Sequence, residues 1–143
     1  MAEIQIPEAR FQLSAIELQE VWIGKPAPGA NQPTVFNFDL SIETNVEARQ
    51  KLVINIVKVN IKGDESENQL GSITCVCIFS ITDFKQFITT DDDGVISISP
   101  DLAEALNSVS VSTTRGVMFG EFKGTFLHYA VLPVIDIKAL MRS

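Results

Sequence analysis

Positive charge is scarce in this chain and long apolar runs are missing. Eleven Lys and Arg stand against 18 Asp and Glu, for a net charge of -7. That balance argues against a nucleic-acid partner, which needs a basic patch to neutralise phosphates. No stretch reaches the ~18 apolar residues of a spanning helix. The opening MAEIQIPEARF carries acids where a secretory signal has a basic region and an apolar core. The expected location is the cytosol.

Soft ligands and phosphate loops are equally sparse. There is one histidine, His128, and two cysteines, Cys75 and Cys77, too few for a structural zinc within one subunit. At i, i+2 on a strand the two thiols share a face but are poorly placed for a disulfide, so they are expected to pack as small apolar groups. The Gly24-Lys25 pair lacks the upstream glycine and the following hydroxyl of a phosphate loop. The Asp91-Asp92-Asp93-Gly94 run lacks the alternating ligands and distant Glu of a calcium loop and reads as a turn. His128 could serve as a general base with Asp136 or Glu121 as orienter, but beside Tyr129 it reads as a packed or surface residue. Neither a cofactor nor an enzymatic activity is expected.

What the chain does have is 143 residues of which 45% are hydrophobic, enough for a core in one domain spanning 1–143. Residues 35–43 alternate, with Phe36, Phe38, Leu40 and Ile42 on one face and Asn37, Asp39, Ser41 and Glu43 on the other. Two other strands change phase. In 11–23, Phe11, Leu13 and Ala15 hold the apolar phase, Ile16 and Leu18 take it, and Val21 and Ile23 take it back. In 52–61, Leu52, Ile54 and Ile56 give way to Val57, Val59 and Ile61. A phase change implies a bulge or burial of both faces, and helices on one side of a monomer cannot cover a second face; another subunit can. A fourth strand spans about 70–81, with Ile73, Cys75, Cys77, Phe79 and Ile81 on one face, after a charged turn KGDESENQ.

Helices follow the strands. Thr82 or Asp83 can cap a short one that exposes Phe84 and Phe87. Ser99, Pro100 and Asp101 supply a hydroxyl cap, a first-position proline and a first-turn acid. From there Leu102, Leu106, Val109, Thr113 and Val117 form a stripe, although the β-branched VSVSTT favours a strand by propensity. Gly116, Gly120 and Gly124 recur every fourth residue among charges, which suits close packing or a helix end better than a membrane dimer motif. Asp136 can cap a last helix bearing Ile137, Leu140 and Met141. Strands first and helices last predict an α+β fold, an antiparallel four-stranded sheet with helices packed on one face.

The order FQLSAIEL, three strands with IFSI at Ile78 to Ile81, a long helix closed by Ser112-x-x-Arg115-Gly116, then Leu132-Pro133 with Asp136 and a last helix, resembles the SecB-type export chaperone family from Phe11 to Met141. The resemblance implies a dimer of dimers that holds unfolded preproteins by hydrophobic contact, without ATP, and passes them to the motor SecA. Glu20 stands where the motor-facing sheet carries an acid. Gly24 and Ser72 stand where acids usually do, and the sequence reaches Ser143 without the polar metal-binding tail common in the family. These departures predict weakened SecA contact and leave client holding untouched. Some family members serve toxin-antitoxin systems instead, and a closed scaffold for a small ligand or lipid is a further alternative. The residues expected to contact clients are Trp22, Phe79, Phe84, Phe87, Val131 and Leu132, chosen at strand ends, the short helix and the crossover.

Overall fold

The computed structural model describes residues 10–25, 35–63 and 68–142. Much of the charged turn KGDESENQ, residues 64–67, and the N-terminal nine residues lie outside that range. Four long strands come first: β1 (Phe11–Ile23), β2 (Phe36–Glu47), β3 (Leu52–Gly63) and β4 (Gln69–Ile81). They form one antiparallel sheet in the order β1-β4-β3-β2, so β2, β3 and β4 meander and β1 returns beside β4. Then come a one-turn helix α1 (Phe84–Phe87), a small hairpin of β5 (Ile88–Thr90) and β6 (Ile96–Ile98), the long helix α2 (Pro100–Phe122) and the short helix α3 (Ile137–Arg142). The α+β architecture expected from the sequence is the one observed.

The two phase changes have different causes. In β1 the pairing with β4 slips between Leu13 and Ala15 and again between Leu18 and Glu20. Each slip inserts one residue and turns the following side chains over. Residues directly opposite one another share a face, and Phe11, Leu13, Ile16, Leu18, Val21 and Ile23 face Ile81, Phe79, Cys77, Cys75, Ile73 and Gly71. Two bulges thus bring every large apolar residue of β1 except Trp22 to the helix side. β3 carries no such slip across 52–61. There the phase change means two apolar faces: Val53, Val57, Val59 and Ile61 are buried under the helices, while Leu52, Ile54 and Ile56 line the outer face beside Val76 and Ile78.

Helix α2 starts where the sequence places it, with Ser99 Oγ accepting from the Leu102 amide at 3.4 Å. It runs past the Arg115-Gly116 pair and ends at Phe122, as Lys123 turns to ψ 130° and Gly124 takes φ 82°, a left-handed value that glycine adopts freely. The buried stripe also differs from expectation. After Leu102 and Leu106 it continues through Ser110, Val111, Thr114, Met118 and Phe122, whereas Val109, Thr113 and Val117 are only half buried. Apolar character misleads here because two hydroxyls are inside. Ser110 Oγ donates to the Leu106 carbonyl at 2.7 Å and Thr114 Oγ1 to the Ser110 carbonyl at 2.8 Å, so neither is buried unsatisfied.

Across from them, fully buried Asn55 on β3 completes a polar seam. Its Nδ2 donates to Ser110 Oγ at 3.0 Å and to Asn107 Oδ1 at 3.2 Å, and its Oδ1 accepts from Thr44 Oγ1 at 2.7 Å. One apolar cluster, around Val57, Val59, Ile61, Ile73, Met118 and Phe122, takes in Leu127, Ala130 and Leu132. A second, around Val53, Phe79, Ile81, Leu102 and Leu106, takes in both cysteines. An Asn55→Ala variant removes three hydrogen bonds and strands their partners, so urea unfolding should show a loss of about 2–3 kcal/mol relative to the parent. A loss under half a kcal/mol would mean that the seam does not hold α2 in place.

Candidate functional site

Two regions carry much of the exposed apolar surface. The first is the crossover, residues 123–136, between α2 and α3. It is anchored from below: Leu127, Ala130 and Leu132 are buried, and Leu127 fills the hollow over Gly71, where an added Cβ would lie 2.5 Å from Leu127 Cδ1. The side chains between these anchors point away. Tyr129 is 83% exposed, Val131 48% and Val134 93%. Phe119 of α2, itself exposed, joins them through ring contacts, 5.6 Å to His128 and from there 4.8 Å to Tyr129.

The crossover is tied down by one side chain of α2. Arg115 Nε donates to the Leu132 carbonyl at 2.7 Å and its terminal nitrogen to the Pro133 carbonyl at 2.8 Å. Pro133 has no amide hydrogen to give to a ladder. Asp136 then caps α3, its carboxylate accepting from the Ala139 amide at 3.1 Å. His128 is packed between the two rings with Nδ1 buried and without a hydrogen-bond partner. Neither Asp136 nor Glu121 orients it, so the general-base geometry is not formed.

The second exposed region is β1. Phe11 and Leu13 pack on one cluster and Val21 on the other, but Ile16 and Leu18, midway between them, are exposed although they face the helix side. At its end Trp22 is 44% exposed and stands opposite Ser72, on the outer face of the sheet. A Cβ on Gly24 would lie 2.9 Å from the Leu70 carbonyl oxygen and 3.0 Å from the Trp22 ring, so this backbone has no room for an acid at position 24. Ser72 is buried. Glu20 is exposed on the same outer face, opposite Thr74.

The six residues singled out in the sequence therefore fall into three environments. Trp22 and Val131 are exposed. Phe84 and Phe87 are half buried, packed on the second cluster, with the Arg10 guanidinium 5.7 Å from the Phe87 ring centre. Phe79 and Leu132 are core residues with essentially no exposure. Phe119, Tyr129 and Val134 were not singled out. Tyr129 and Val134 sit in a stretch without periodicity, where exposure cannot be read from spacing, and Phe119 follows the buried Met118 on an amphipathic helix.

The cysteines are free and fully buried on one face of β4. The hydrogen bond between them lowers Cys75 to about 7 against the opposing effect of burial, and the same bond together with burial pushes Cys77 well up. Among the described residues no group of three or more His, Cys, Asp or Glu could hold a metal, and no helix is long and apolar enough to cross a membrane. In the acidic turn, Asp91 Oδ1 accepts from the amides of Asp93 and Val95 at 2.9 and 2.8 Å, so this carboxylate builds the hairpin.

No protein-family model matches the chain, and no curated protein matches it in sequence. Solved structures do match in shape. A Mycobacterium tuberculosis SecB-like chaperone, Rv1957, in complex with a ChAD peptide from the Rv1956 HigA1 antitoxin, superposes with a TM-score of 0.56 at 12% identity, over 88% of this chain and 91% of that one. The sheet followed by helices is thus a fold shared with a SecB-like chaperone.

Proposed function

We propose that the protein is an ATP-independent chaperone that holds unfolded polypeptide segments on the exposed apolar surface of its crossover. The observation that carries this reading is the pattern along 127–134: anchors buried beneath, Tyr129, Val131 and Val134 presented above, and Phe119 alongside. An ordinary core does not present a Tyr and a Val at over 80% exposure in the same short segment. The fold shared with a SecB-like chaperone that was solved in complex with an antitoxin peptide supports a polypeptide as the client. A closed small-ligand or lipid scaffold is less well supported. A hollow of ≈ 620 Å³ at the sheet end is lined by Lys51, Thr82, Asp83, Lys85 and Gln86 as well as Ile81 and Phe84, a set too polar for a lipid chain.

Of the six sequence candidates, Val131 belongs to this client surface, Trp22 offers a second contact on the outer face, and Phe84 and Phe87 a partial one. Phe79 and Leu132 act from beneath as support. Each apolar side chain covered by a client contributes ~1.5–3 kcal/mol, and ordering the client takes back ~2–5. A Tyr129→Ser, Val134→Ser double variant should therefore lose ~3–6 kcal/mol of client affinity, while its melting temperature stays near that of the parent because both side chains are exposed. The assay is suppression of light scattering by a chemically unfolded substrate without ATP. Unchanged suppression in the variant would remove the crossover from the client surface, and no suppression by the parent would end the holding reading.

One such surface binds weakly, so useful affinity calls for several copies engaging one client. The bare Ile16 and Leu18 on edge strand β1, and the outer apolar strip of Ile54, Ile56 and Ile78, offer surface for self-association as a dimer or tetramer. Static light scattering at micromolar concentration should report one of these; a strict monomer refutes it.

A role beside a toxin-antitoxin pair fits this chain better than export. Gly24 has no room for a side chain and Ser72 is buried, which leaves Glu20 as the only one of the three motor-facing positions that presents an acid. Binding to SecA should be weak or absent beside that of an export member of the family measured in parallel, and equal affinity would show that those positions do not matter.

A further inference from the structure

We infer that Arg115 is a positioning residue of the client surface: its guanidinium clasps the crossover so that Val131 and Val134 face outward before any client arrives. This rests on the holding function proposed above. The clasp is specific in geometry. Arg115 is on α2 about two turns before its end at Phe122, and the hydrogen bonds it makes go to two consecutive carbonyls, Leu132 and Pro133, 17 and 18 residues downstream. Among the described residues no carboxylate pairs with it, although the chain has acids in excess. A fork of N–H donors reaches two adjacent carbonyls at once, which an ammonium on a flexible stem does less well.

The other ties of this segment are apolar: Leu132 is buried in the first cluster and Ile135 packs against it. Between Val131 and Asp136 the backbone belongs to no strand or helix, and Pro133 removes one amide. Leu132 is buried and its neighbour Val131 points away, while the bond to the Pro133 carbonyl holds the backbone directly before Val134, which is exposed. Without the clasp, Leu127 still seats over Gly71, but the stretch beyond Ala130 samples other directions. A client then binds only the fraction of molecules with the correct arrangement, and apparent affinity falls in proportion.

Two substitutions test this in the full-length protein. Arg115→Met keeps the stem and removes every donor; Arg115→Lys keeps a single donor nitrogen in place of the fork. Chymotrypsin cleavage after Tyr129 reports seating of the crossover, fluorescence anisotropy of a labelled, reduced and alkylated unfolded protein reports client affinity, and thermal unfolding reports the fold. If the seated fraction drops to about a tenth, client affinity drops about tenfold, cleavage accelerates in step, and the melting temperature changes by only a few degrees. The Lys variant should be intermediate in both cleavage and affinity. A Met variant that is cleaved faster yet binds clients as well as the parent overturns the positioning role, and so does one in which neither changes. If the Met variant fails to fold, the Lys variant decides: cleavage and affinity that do not move together overturn the proposal. Failure of the parent to bind the labelled protein overturns the holding function itself, a different outcome from parent binding with an unaffected variant.

Discussion

Helix α2 can lie on its sheet in one register, because a buried asparagine fixes it there. Moving the helix by a turn would leave Asn55 with two donors and an acceptor facing apolar side chains, at a cost of several hydrogen bonds in a dry interior. Everything that follows along the chain inherits that register. It sets which way Arg115 points, where α2 ends at Phe122, and so where the crossover leaves the helix and descends to place Leu127 over Gly71. A purely apolar interface would tolerate sliding, since hydrophobic burial is nearly indifferent to small shifts.

The same constraint explains why apolar surface is left over. One 23-residue helix and a six-residue one are asked to cover four strands of 12 or 13 residues. With α2 fixed over β3 and β4 and α3 packed on α2, the centre is buried and the middle of β1 is left bare at Ile16 and Leu18. A monomer optimised only for stability would place polar residues there. Excess acidic charge opposes close approach of such surfaces, as like-charged molecules repel.

Much of the architecture was legible in the sequence, and the failures have a common cause. The strands were readable because a pleated surface with one covered face imposes a period of two, and even the irregular β1 announced its bulges as phase changes. The α2 start was readable because Ser99, Pro100 and Asp101 each answer a local need of a helix N-terminus. Its buried stripe was not. Spacing arguments assign apolar residues to the inside, whereas Ser110 and Thr114 are inside because they satisfy their hydroxyls on the preceding turn. The helix end was misplaced for a related reason: Gly116 and Gly120 have open space at their Cβ positions and do not break the helix, while Gly124, with its positive φ, does.

The candidate surface was the least legible part, because exposure in an irregular segment depends on long-range contacts. Nothing local to Tyr129, Val131 or Val134 tells which of the residues from 127 to 134 turns inward. That choice is made by the hollow over Gly71, 56 positions earlier, and by a guanidinium on the preceding helix. Val131 and Leu132 are adjacent and similar in hydropathy, yet one is exposed and the other fully buried. Leu132 is seated in the first apolar cluster, and Val131 beside it is turned outward. A surface built this way takes its shape from the core beneath it, so it can present apolar groups without collapsing onto them.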